Sequence, residues 1–183
     1  MFRSFVVLML SLFLAASASA QDSSVSSRVE TTKTGDLILV QEVVVKAPVD
    51  QVWAAFTTSD GWEAWAVPVA KVDFQVGGII RTNYNAGGSA DDEDANVLHV
   101  INYVPNKLIT LQAEVSKNWP EILKEREKQM YNVITFEQLN DETTKVISFG
   151  LGYRDTPELR GMMEFFIEAN EGLYQKLIDY LEE

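Results

Sequence analysis

His99 is the single histidine of the chain, and there is no cysteine. A catalytic histidine works on a nucleophile and is oriented by an acid. The stretch "ANVLHVINYV" offers neither beside it. On a strand His99 shares a face with Val97, Ile101 and Tyr103. A structural or cavity-lining role is therefore expected, with general acid/base chemistry at His99 as the competing role. Without cysteine and without an H-E-x-x-H pattern, no zinc site is expected, and no cofactor is called for. The acidic run Asp91-Asp92-Glu93-Asp94 lacks the spaced acids, central glycine and distal glutamate of a calcium-binding loop. It reads as a solvated hairpin tip.

The aromatic residues carry more information. Trp53, Trp62, Trp65, Phe74, Tyr84, Trp119, Phe136, Phe149 and Phe166 are spread over segments of both helical and strand pattern. Each alone fits a core position. Together with His99, Met163 and Asn170 they are the candidate lining of a pocket that is mostly apolar with a few polar groups. Asn170 is the sharpest of these. It falls in the apolar arc of a C-terminal helix, between Phe166 and Leu173, where an unpaired amide costs about 1–3 kcal/mol. It must pair with a buried backbone group or water, or else face a ligand. Gly161 and Gly172 flank the stripe and leave room for the sheet or a ligand to approach.

In "DFQVGGIIR", Gly77-Gly78 is followed by strand-forming residues, whereas a phosphate cradle needs a helix N-terminus there. The pair reads as a tight turn or bulge between two strands, and nucleotide chemistry is excluded.

These residues must be positioned by the following elements. "DLILVQEVVVKAP" is a β-branched strand ended by Pro48, and "VDQVWAAFT" has helical spacing. "SDGWEAW" suggests a second short helix broken at Gly61. Strands are expected over 72–76, 79–84, 96–104, 108–115, 132–139 and 145–153, with a helical insertion over 118–130. A long helix follows Thr156-Pro157, its apolar stripe running through Leu159, Met162, Phe166, Ala169, Leu173, Leu177 and Tyr180. One strand, two short helices, about six strands and a closing helix make an α+β fold with an antiparallel sheet. Several strands are apolar on both sides, which leaves open the face that points inward.

Residues 1–20 have the order of a secretory signal peptide: Arg3, an apolar run over 5–16, then Ala18-Ser19-Ala20. The run is shorter than the roughly 20 residues of a membrane span. An exported chain is expected, periplasmic or secreted, with no stable membrane insertion after cleavage. Residues 21–34 read as a flexible leader, with a first strand as the alternative near Val29, and 35–183 as a single domain. Removing Arg3 from the 15 basic residues leaves 14 against 27 acidic, a net charge of −13. Such a surface repels nucleic acid, so no nucleic-acid partner is expected.

Ala47-Pro48, Val52-Trp53, Trp62 and Trp65, Asp73 with Gly77-Gly78 and Arg81, and Pro105 stand in an order that resembles the SRPBCC (START/birch-pollen-allergen-like) superfamily, in the branch named after an activator of a heat-shock-protein ATPase. The likeness spans nearly the whole chain after residue 20. It implies a helix-grip fold, a curved antiparallel sheet wrapped around the C-terminal helix with an apolar cavity between them. The chaperone activity in the branch name does not suit an exported chain. The leading expectation is non-catalytic binding or carriage of a small hydrophobic molecule. The alternatives are an enzyme of the polyketide-cyclase or aromatase kind using the same cavity, and a protein-interaction module with a filled core.

Overall fold

A computed structural model of the protein describes residues 24–115 and 121–183. The segment read as a signal peptide and Trp119 lie outside these residues. Strand β1 (Ser24–Thr31) pairs antiparallel along its length with β2 (Asp36–Val45). Most of the stretch read as leader is therefore a strand, closed by a turn at Gly35, whose φ of 82° suits glycine.

Pro48 ends β2 and heads helix α1 (Val49–Thr57). Thr58 then stops α1 and caps α2 (Ser59–Trp65), its hydroxyl accepting from the Gly61 amide at 3.0 Å. Gly61 does not break α2. It lets the two helices touch, because a Cβ there would lie 2.4 Å from the Ala54 carbonyl oxygen and 2.8 Å from Ala55 Cα. Gly61→Ala should lower unfolding stability by about 1–3 kcal/mol, measured by urea titration, since backbone must move to make room.

The remaining strands are β3 (Val69–Val72), β4 (Ile79–Asn83), β5 (Asn96–Val104), β6 (Leu108–Ala113), β7 (Tyr131–Asn140) and β8 (Thr143–Arg154). They form one eight-stranded antiparallel sheet in the order β1-β2-β8-β7-β6-β5-β4-β3. Helices α1 and α2 carry the chain to the far edge, and the strands then return one by one until β8 docks on β2. The strand expected over 72–76 lies earlier, at Val69–Val72. Residues 73–78 instead make the turn that the glycines allow, with Gly77 at φ 81°. Gly77 and Gly78 also exchange backbone hydrogen bonds with Val100 of β5. Between β6 and β7, the described part of the insertion is not one helix but a short α3 (Glu121–Lys124) and a single 3-10 turn at Glu127–Gln129. Arg126 separates the two pieces, and its Nε donates to the Gly152 carbonyl at 2.7 Å.

Helix α4 (Pro157–Glu182) starts as its sequence requires. Thr156 accepts from the Leu159 amide, Pro157 sits in the first turn, and Glu158 faces the positive end of the helix dipole. The helix lies across the concave face of the sheet, giving the α+β helix-grip architecture. Its buried residues are Leu159, Met163, Tyr174, Leu177 and Ile178. The stripe is thus rotated from the expected one: Met162 and Leu173 are half-buried, and Ala169 and Tyr180 are exposed. Gly161 and Gly172 allow no close approach of the sheet, since a Cβ at either would meet nothing within 4 Å.

Two packed cores result. One gathers α1, α2, the central sheet and the end of α4 around Val52, Phe56, Trp65, Phe136 and Leu177. The other joins Leu37, Leu39, Leu123, Tyr153, Leu159 and Met163 under the start of α4. Among the described residues, no helix is long and apolar enough to cross a membrane.

Candidate functional site

The middle of α4, from Met162 to Tyr174, spans a gap between the two cores. Beneath it lies a cavity of about 940 Å³. Its floor is the concave sheet face, reached by Leu39 of β2, Gly150 of β8, Ile134 of β7 and Leu111 of β6. Phe166, Asn170 and Tyr174 come down from α4, and Trp62 and Trp65 close the end toward α2.

Both tryptophans present ring faces only. The Trp62 indole donates to the Phe56 carbonyl at 2.8 Å and the Trp65 indole to the Ala55 carbonyl at 3.0 Å. Trp62 stacks on Trp65 at 5.8 Å, and Trp65 on Tyr174 at 6.4 Å. The end wall is therefore a rigid aromatic stack whose polar atoms are already used.

The floor is different, because a polar row crosses it. Ser27, Gln41 and Ser148 are register partners on β1, β2 and β8, and Asn132 of β7 stands diagonally beyond. Gln41, only 2 % exposed, donates to Ser27 Oγ at 3.0 Å and accepts from Asn170 Nδ2 at 2.8 Å. Ser148 Oγ donates to Asn132 Oδ1 at 2.8 Å. Tyr174 also hydrogen-bonds to Ser148. Burial pushes its phenol up, and that bond partly offsets the effect. Each of these side chains is held by at least one other, as burial demands.

Tyr153 reaches the cavity beside Gly150, and burial pushes its phenol up to about 12. In the unfolded chain it ionises near pH 10, so the stability contributed by keeping it neutral is complete below pH 10 and is lost as pH rises towards 12. Tyr153→Phe should flatten the decline in unfolding free energy across that window by about 2–3 kcal/mol, measured by urea unfolding at several pH values.

Of the residues expected to line a pocket, Trp62, Trp65, Tyr84, Phe166 and Asn170 are on this wall. Trp53, Phe74 and Phe136 are not. Trp53 sits edge-on to Phe74 at 5.7 Å and to Phe136 at 5.3 Å, in a packed aromatic cluster at the far side of α1. Met163 is buried in the second core. Phe149 lies on the opposite sheet face, because Ser148 and Gly150 on either side of it both point into the cavity.

His99 is also away from this wall. Its Nε2 meets Glu114 Oε1 at 2.6 Å, the two side chains being 35 % and 52 % exposed. They border a shallower hollow with Gln112, Glu127 and Lys128. The histidine thus has an acid partner that local sequence did not reveal, but among the described residues no hydroxyl or thiol borders the hollow. Among the described residues, no group of three or more His, Cys, Asp or Glu is placed to hold a metal ion. The acidic run is an organised loop. Asp92 Oδ2 accepts from the Ser89 amide and from Asn83 Nδ2, and Arg81 donates to the Ala90 carbonyl.

Gln41, Asn132, Ser148 and Tyr174 are site residues that the sequence reading missed. The trace they leave is a polar residue at an inward position of an apolar alternation, as in Leu39-Gln41-Val43-Val45, and a tyrosine one turn after Asn170.

Comparison with known proteins agrees with this fold. The family described as activator of Hsp90 ATPase homolog 1-like protein matches residues 46–182. Among solved structures, the Aha1 dimer from Colwellia psychrerythraea is similar at 20% identity with a TM-score of 0.59, covering 79% of this chain and 96% of that one. MLL2253 from Mesorhizobium loti is similar at 18% identity and TM-score 0.63, with the same coverage of 79% and 96%. DynU16, a protein in the dynemicin biosynthetic locus, is similar at 19% identity and TM-score 0.57, covering 79% of this chain and 47% of that one. At these identities the likeness is one of fold. No curated protein matches significantly in sequence.

Proposed function

We propose that this chain, which belongs to the family of activator of Hsp90 ATPase homolog 1-like proteins, is exported and holds a small hydrophobic ligand between its sheet and α4 without transforming it. The observation that carries the reading is the cavity of about 940 Å³ kept open between two well-packed cores. Its size falls within the range of about 300–1,000 Å³ found for small-molecule sites. Apolar burial on these walls contributes about 25 cal/mol per Å². The aromatic stack offers flat faces against which a ring system packs. Export rests on the segment over 1–20, and the lack of cysteine means that packing alone must maintain the fold.

The second reading is an enzyme of the polyketide-cyclase kind working in the same cavity; DynU16, from a biosynthetic locus, shares the fold. Such chemistry needs an acid or base beside the substrate. The carboxylate on the described wall, Glu114, is half-exposed and paired with His99, which lies off the wall, and burial moves the phenols of Tyr153 and Tyr174 further from ionising at neutral pH. Binding without turnover is therefore the stronger reading. The open cavity weighs against an interaction module, which was expected to have a filled core.

Native mass spectrometry of the protein purified from its own host, followed by organic extraction, tests the binder. An apolar adduct near one per chain is expected. A clean unliganded mass, together with turnover of an added polyketide-like substrate, would replace the binder by the enzyme.

A further inference from the structure

Resting on the cavity reading above, we infer that the ligand is an uncharged molecule bearing a hydroxyl or carbonyl group, and that Asn132 and Asn170 read that group. The inference comes from bonds left unmade. Ser148 occupies Asn132 Oδ1, and Gln41 occupies Asn170 Nδ2. Among the described residues, Asn132 Nδ2 and Asn170 Oδ1 have no protein partner, yet neither is sealed from the open volume. These two amides thus present one donor and one acceptor to the cavity. Each is fixed in orientation because the other end of its amide is already bonded. A hydroxyl satisfies either atom and a carbonyl satisfies the donor, at little entropic expense to the protein.

Charge is selected against in three ways. The polar floor residues are all neutral, and a carboxylate brought among them would lose its hydration without gaining a cation. Among the described residues, the wall carries a single ammonium, Lys176, on an exposed position of α4, and one carboxylate, Glu114, which repels an anion. The chain as a whole carries a net charge of −12 and repels anions on approach. A fatty-acid-type ligand meets all three, while a neutral alcohol or ketone meets none.

Three probes of one shape separate these cases at pH 7: pyrene, 1-pyrenemethanol and 1-pyrenecarboxylate, titrated by fluorescence. The methanol should bind about tenfold or more tighter than the carboxylate, which is ionised at this pH. It should also bind more tightly than pyrene. Asn132→Ala and Asn170→Ala should each reduce the preference for the methanol over pyrene several-fold, read as the ratio of the two affinities within each variant. Pyrene binding retained in the same variant shows that its cavity persists. Equal or tighter binding of the carboxylate overturns the inference, and its loss in Lys176→Met would place the anion at the cavity edge. Pyrene binding without preference for the methanol also overturns it, yet leaves the cavity reading standing. Binding of none of the three removes both.

Discussion

Phe166→Glu should abolish binding of a neutral apolar probe while leaving a folded, soluble protein. Phe166 lies on the cavity wall from the middle of α4, half-buried, with its ring edge-on to Phe165 at 5.6 Å. A glutamate here hangs into a space large enough for water, so its charge stays hydrated in the unliganded protein. The main loss on folding is the packing of one ring against the second core, about 1–3 kcal/mol. Binding is another matter. An apolar ligand filling the cavity strips that water from the carboxylate, and the second core against which Phe166 packs is apolar. Leaving a charge buried and unpaired costs about 3–5 kcal/mol, which is more than a hundredfold in affinity. Phe166→Ala removes the ring without adding charge and should show only the smaller loss. Tyr180→Glu, exposed and off the cavity, should bind as the parent does. Circular dichroism checks the fold, and fluorescence titration with pyrene checks the binding. Native-like Phe166→Glu that still binds pyrene at parental affinity would show that the ligand sits elsewhere.

The contrast between Phe166 and Phe149 explains how far the sequence could be read. The helix limits were legible because their chemistry is contiguous: Pro48 before α1, Thr58 before α2, and Thr156-Pro157 before α4. The turn at Gly77-Gly78 was legible for the same reason. The inward face of β8 was not. In "KVISFGLGY" the phenylalanine is the more apolar choice, yet the inward row is Val146-Ser148-Gly150. A one-residue shift in face exchanges the two rows, and the pairing of Ser148 with Gln41 decides between them. That pairing joins residues more than a hundred positions apart, which no local pattern encodes. The rotation of α4 has a related origin. Met162-Met163 and Phe165-Phe166 are doublets, so the apolar arc is wide and its centre is undefined until the sheet grips it. The polar row was hidden most completely. Its members come from β1, β2, β7, β8 and α4, and each looks like an ordinary polar residue until the strands are laid side by side.

Gly152→Ala and Gly161→Ala should move stability in opposite directions, although the substitution is the same. Gly152 lies near the end of β8 at φ 96°, where side-chain-bearing residues are strained. A Cβ there would stand 2.3 Å from the Gln129 carbonyl oxygen and 2.9 Å from Met130 Cα. Both obstacles are backbone, so no rotamer change relieves the overlap. The 3-10 turn would be pushed off β8, and the hydrogen bond from Arg126 to the Gly152 carbonyl would go with it. Strain and overlap together should cost about 3 kcal/mol or more, a fall in Tm of roughly 6–12 °C for a domain of this size. Because Met130 and Tyr131 border the cavity, ligand affinity should fall as well. At Gly161 an added methyl meets nothing within 4 Å and sits inside an exposed helical turn. There the substitution only narrows the freedom of the unfolded chain, and it should add about 0.5–1 kcal/mol. Thermal and urea unfolding of the two variants side by side makes the comparison. A Gly152→Ala protein as stable as its parent would mean that the insertion between β6 and β7 does not seat against β8, and that this end of the cavity stands open.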